Sequence, residues 1–112
     1  MLTIDALRAW GADTDSGLRR CMNNEAFYLK LVEKTAGDPT FGQLKEAVEA
    51  GDLAHGFELA HALKGVTANL SLTPLETPVI EITELLRSRT ETDYGLLLDQ
   101  IAKEKQKLTD MI

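Results

Sequence analysis

Apolar positions along the chain recur at helical spacing, and sustained alternation of apolar and polar residues is absent, so the pattern predicts helices and no strands. Leu2 to Trp10 reads as a short first helix closed by Gly11. Asp13, Thr14, Asp15 and Ser16 offer N-caps for a second helix running to about Met22, because short side-chain oxygens accept the free N–H groups of a first turn. Asn23 or Asn24 can cap a third, with Phe27, Leu29, Leu31 and Val32 as its apolar side. Gly37-Asp38-Pro39 then interrupts, since helices rarely continue unbent through Gly and Pro. The next helix carries Phe41, Leu44, Ala47 and Val48 and ends at Gly51, and Asp52 caps the following one, which runs to about Leu70. Thr73-Pro74 reads as a cap followed by proline at the first helical position, opening a helix to about Arg87. Pro78 falls in or just after its first turn, where proline costs least. Thr92 or Asp93 starts the last helix, anchored by Leu96, Leu97, Leu98, Ile101 and Leu108. Short connections make neighbouring long helices antiparallel. The expected fold is all-α: an up-and-down antiparallel four-helix bundle with additional short N-terminal helices, built by residues 1–112 as a single domain.

The helix after Asp52 is the informative one. On a wheel at about 100° per residue, Leu59, Leu63, Val66, Thr67 and Leu70 share an arc of roughly 100°, with Gly56 and Ala60 beside it. That arc is the expected core stripe. His61 lies about 160° from Leu63 and is expected to face solvent. Around it on the outer face come Ala54, Phe57, Glu58, Lys64, Gly65 and Ala68. An ordinary solvated face is rich in Lys, Glu, Gln and Arg; this one sets small residues and one aromatic around a single imidazole. Gly65 costs about 1 kcal/mol relative to alanine in a helix interior and neither caps nor turns anything there. A low surface that opens access to the imidazole would explain it. Plainer readings stand beside this one: a lone surface histidine is usually just solvated, and a helix glycine can serve close packing. Lys64, about one turn from His61 and expected to be exposed, could meet a phosphoryl oxygen or serve only solubility. His55 is expected on another face, nearer the core edge.

Composition narrows the classes. With 44% apolar and 27% charged residues, the chain reads as globular rather than disordered. A net charge of −6 speaks against nucleic acid or an anionic membrane as partner and leaves room for a protein partner. The single cysteine, Cys21, cannot form an internal disulfide, and a small packing residue is the better reading than a reactive thiol, although Arg19 and Arg20 adjoin it. Neither a long apolar run nor a basic, apolar leader is present, so a cytoplasmic monomer without a membrane span is the expectation. His55 and His61, six residues apart, project about 120° apart and cannot share a metal, which needs i, i+4 spacing, so no metal site is expected.

The segment Ala60-His61-Ala62-Leu63-Lys64-Gly65-Val66-Thr67-Ala68-Asn69-Leu70 resembles the signature of histidine phosphotransfer (HPt) domains, H-x-L-K-G followed by small residues and A-N-L. The resemblance extends over nearly the whole chain. Gly17-Leu18-Arg19-Arg20-Cys21 through Phe27-Tyr28-Leu29 is similar to the family's opening helices, and Ala50-Gly51-Asp52 to its lead-in. Leu72-Thr73-Pro74-Leu75 and Leu85-Leu86 resemble the helix that follows. Ser71 departs where many members have glycine, and Gly37-Asp38-Pro39 departs where members often have one long helix, which leaves the packing of residues 38–50 open.

The resemblance implies that His61 exchanges a phosphoryl group with the aspartate of receiver domains in a two-component phosphorelay. Lys64 would offset phosphoryl charge, and Ala54, Phe57, Glu58, Gly65 and Ala68 would form the docking face. Glu58 could accept a hydrogen bond from the imidazole, or be merely solvated. The chemistry suits these residue types. An ordinary imidazole titrates near pH ~6.5 and offers a nitrogen lone pair at neutral pH, and phosphoryl transfer needs mostly positioning and charge neutralisation. Phospho-histidine and acyl phosphate are both energy-rich, so exchange can run both ways. The implied partners are response-regulator receiver domains and a hybrid sensor histidine kinase. No cofactor is expected on this chain; magnesium would come with the receiver. Without a phosphate-binding glycine-rich loop or room for an ATP-binding domain, the chain reads as a phosphocarrier lacking kinase activity of its own. The alternative is a non-catalytic module that docks on receivers, which would typically lack His61. The initiating Met1 and the full helical frame favour a free-standing shuttle over a piece of a kinase.

Overall fold

Side-chain oxygens set most of the helix starts. Thr3, Asp13, Asn24 and Asp52 accept hydrogen bonds from the backbone N–H groups of Ala6, Ser16, Phe27 and His55, donors that a first turn leaves unpaired. The computed structural model describes residues 1–112 and contains seven helices and no strand. They are α1 (Ile4–Trp10), α2 (Thr14–Arg20), α3 (Glu25–Ala36), α4 (Thr40–Glu49), α5 (Leu53–Asn69), α6 (Thr73–Arg87) and α7 (Gly95–Asp110). None is long and apolar enough to cross a membrane.

Several boundaries differ from the sequence reading. α1 starts at Ile4, leaving Leu2 buried ahead of it, and α2 stops at Arg20 because Met22 and Asn23 both adopt a left-handed φ of 56°. Thr73 is already helical, with Leu72 at the cap, so Pro74 is the second helical residue. α7 begins at Gly95 rather than Thr92 or Asp93; the Asp93 carboxylate turns forward to the Gly95 N–H at 2.8 Å. Leu96 is 78% exposed and anchors nothing, whereas Leu97, Leu98, Ile101 and Leu108 are buried.

Four rods make the bundle. The break at Gly37-Asp38-Pro39 is brief: Pro39 already has right-handed helical angles, and the Asp38 carboxylate accepts the Thr40 N–H at 2.9 Å. α3 lies beside the end of α5, where Leu31, Thr35, Val66 and Leu70 line one hollow. α4 lies beside its start, where a Cβ placed on Gly56 would come within 3.2 Å of Val48. The pairs run in opposite directions, so α3 and α4 together form one rod antiparallel to α5. The neighbours Gly56–Leu86 and Lys64–Glu84 run α6 antiparallel to α5, and α7 closes the bundle against α6 and α3.

α1 and α2 cover the end where α5 turns into α6. The Asp13 N–H donates to the Ser71 carbonyl at 3.0 Å, and the Tyr28 hydroxyl donates to the Leu70 carbonyl at 2.8 Å. Gly17 lets α2 lie on the Tyr28 ring, since a Cβ there would stand 2.5 Å from a ring carbon. Phe27, expected on the apolar side of α3, is 49% exposed, and Tyr28 is wholly buried instead. The inward residue supplies a hydroxyl to a carbonyl stranded at a helix end, which phenylalanine could not do. Burial, with Cys21 and Asp13 nearby, pushes the Tyr28 hydroxyl up to about 12. Cys21 is itself buried in the common core, which takes residues from Leu2 through Leu108.

Trp10 pins α1 to α7. Its indole N–H donates to Glu104 Oε2 at 2.9 Å, and Lys107 lies 3.1 Å from the other carboxylate oxygen. Burial by itself would raise the Glu104 carboxyl, but the bonds from Trp10 and Lys107 outweigh it and hold the group below the ordinary glutamate range. A carboxyl depressed in the folded state contributes stability above its unfolded value and loses it as pH falls through the folded one. Wild type is therefore expected to lose more melting temperature than Glu104→Gln between about pH 5 and pH 3. Thermal melts across that range check this; equal acid limbs would refute it.

Candidate functional site

α5 buries one face between its neighbours, and this decides what its other face presents. Gly56, Ala60, Leu63, Thr67 and Leu70 are buried, whereas Leu59 and Val66 are only half-buried. The sequence reading had centred the stripe on the larger residues. Small residues hold the centre because α4 and α6 approach closely there; a Cβ on Gly56 would meet both Val48 and Leu86. The buried Thr67 hydroxyl satisfies itself by donating to the Leu63 carbonyl at 2.8 Å.

Opposite that stripe, His61 is exposed. Its imidazole stacks on Phe57 one turn earlier, with centroids 5.7 Å apart and planes 24° from parallel. Two guanidinium groups lie over the same phenyl ring, Arg87 at 4.9 Å and Arg89 at 5.6 Å from its centroid, where the ring's negative face attracts cations. Arg89 comes from the residues just past α6; with a φ of 51°, it folds back to donate to the Leu86 carbonyl. One phenyl ring thus has the imidazole and two guanidinium groups packed against it.

Gly65 lies on open surface. A Cβ built there would meet nothing within 4 Å, so close helix packing is not its purpose. Ala54 and Glu58 are exposed, Phe57 and Ala68 half-buried, and the Ala68 carbonyl accepts a bond from Arg20 of α2. The residues expected to surround His61 therefore do share one face of α5.

Two expectations are corrected. Lys64 is not freely exposed: its side chain is 34% exposed, and its ammonium lies 3.6 Å from Glu84 on α6. Of the two readings of Glu58 the solvated one holds: its side chain is 76% exposed, and its carboxylate lies 3.8 Å from His55 Nδ1. His55 is exposed rather than near the core edge. The sequence reading missed Glu84 and Arg87 of α6 and Arg89 of the turn just past it, which reach the site from outside α5. No spacing within α5 points to them, and a basic residue in a last helical turn is ordinary.

Chemically, the face offers an accessible ring nitrogen with cations close by to compensate negative charge arriving there. Nowhere does the chain gather three His, Cys, Asp or Glu side chains into a group that could hold a metal ion. A family model described as the Hpt domain matches residues 34–111, from the end of α3 through α7, which includes His61, Lys64 and the arginine pair. Comparisons with curated proteins and with solved structures gave no significant match.

Proposed function

The chain belongs to the Hpt domain family, and on that premise we propose that it is a phosphocarrier in which His61 takes a phosphoryl group from the phospho-aspartate of a receiver domain and passes it on to another. The observation that carries this reading is the exposed, Phe57-stacked imidazole at the middle of α5, beside the open surface at Gly65. Receiver domains of response regulators and of a hybrid sensor histidine kinase are the proposed partners. The receiver brings the aspartate and its magnesium; this chain contributes the nucleophilic nitrogen and nearby positive charge. Stacking limits the tilt of the ring, so less motion has to be frozen when the reacting atoms meet.

Incubation with a panel of phosphorylated receivers tests the proposal. Label should pass to the chain in an acid-labile, base-stable form; no transfer from any receiver would refute it. With ATP and no kinase present, the purified chain should take no label, and stoichiometric labelling would contradict a carrier role.

Lys64→Ala should slow transfer about tenfold, because a neighbouring cation is worth most when charge builds in the transition state. Its half-exposed ion pair with Glu84 contributes little to folding, so the melt should hardly move. An unchanged transfer rate would leave Lys64 a solubilising residue.

A further inference from the structure

Glu84 takes no part in the proposed reaction, yet it touches two cations beside the site. Its Oε1 lies 3.6 Å from the Lys64 ammonium and its Oε2 lies 3.2 Å from Arg87 Nε. Arg87 in turn lies over the phenyl ring on which the imidazole stacks. We propose that Glu84 is a latch: it holds Lys64 toward α6 while His61 is unmodified and yields it to the phosphoryl group once His61 is phosphorylated. Glu84 would thereby set how far the transfer equilibrium lies toward this protein. The proposal rests on the phosphotransfer reading of His61.

The charges and their exposure make such an exchange easy. The Lys64 and Glu84 side chains are 34% and 53% exposed, so their attraction is screened and weak. A phosphoryl group brings more negative charge than a carboxylate, and it forms on a residue one helical turn from Lys64. Lysine, a compact charge on a flexible stem, can swing between the two. Arg87 lowers the cost of the move, because Glu84 keeps a guanidinium at 3.2 Å after Lys64 has left. In the transfer itself, a bond forms between an imidazole nitrogen and phosphorus as the receiver's aspartyl oxygen–phosphorus bond breaks. The carboxylate leaves with the electron pair, and the proton on the other ring nitrogen passes to water. Lys64 changes partner without changing protonation.

The measurement is the equilibrium ratio of phosphorylated protein to phosphorylated receiver, with a thermal melt on each variant. Glu84→Gln should raise the ratio about two- to fivefold, the scale of a partly exposed ion pair, whereas loss of a merely structural contact would leave it unchanged or lower it. In a Lys64→Ala background, Glu84→Gln should leave the ratio unchanged. No rise in the single variant would overturn the latch. A rise of equal size without Lys64 would overturn it too, since Glu84 would then act by direct repulsion. If wild type takes no label from any receiver, the reading of His61 falls and the latch with it. Label that is lost in His61→Gln but indifferent to Glu84→Gln sinks the latch alone.

Discussion

His61→Gln should reduce transfer to background, a loss of at least about a thousandfold, while the protein stays folded. Glutamine keeps a polar side chain of similar length, but its amide nitrogen has no free lone pair with which to form a bond to phosphorus. The position is exposed, so the substitution gives up little beyond the stack with Phe57, a contact worth at most about 1 kcal/mol. A transfer time course and a melt on the same sample separate the two effects. The informative control is His55→Gln. Both histidines are exposed, so accessibility alone does not choose between them. What distinguishes them is their surroundings: His61 has the Phe57 ring, the arginine pair and the open surface at Gly65, whereas His55 has Glu58. His55→Gln should transfer as wild type does. Undiminished label in His61→Gln would move the acceptor elsewhere and defeat the proposed function.

Gly65→Gln should separate stability from transfer. Nothing lies within 4 Å of a Cβ at this position, and the glycine sits inside α5, so a better helix former can be added without a clash. Replacing glycine in a helix interior stabilises by up to about 1 kcal/mol, which for a domain of this size raises the melting temperature by up to roughly 4 °C. Transfer should nevertheless fall by about tenfold to a hundredfold. A long side chain one turn from His61 would stand where a receiver must bring its aspartate, and reacting atoms have to come within about 3–3.5 Å. Gly65→Ala adds a single carbon to open space and should keep most of the transfer while gaining much of the stability. Higher melting with unimpaired transfer in Gly65→Gln would refute the docking role of this surface. Lower melting would contradict the open environment itself.

The outer face of α5 was legible because it depends on one helix alone. Once the Asp52 cap and the apolar spacing define the helix, the rotation of 100° per residue places His61, Gly65 and Ala54 opposite Leu63 whatever surrounds them. The caps at Asp13, Asn24 and Asp52 were legible for the same reason: each bond joins residues three apart. Contacts between helices obey no such local rule. Whether Phe27 or Tyr28 turned inward was decided by the Leu70 carbonyl, 42 residues from Tyr28 along the chain. Small residues came to the centre of the α5 stripe because α4 and α6 approach at Gly56, a closeness set by both neighbours at once. The partner of Lys64 and the guanidinium groups over Phe57 come from α6 and the turn just past it, and the register of α6 against α5 follows from packing along their whole length. Periodicity says which way a side chain points from its own helix; only the assembled bundle decides what it meets there, because the meeting atoms belong to segments that the sequence keeps apart.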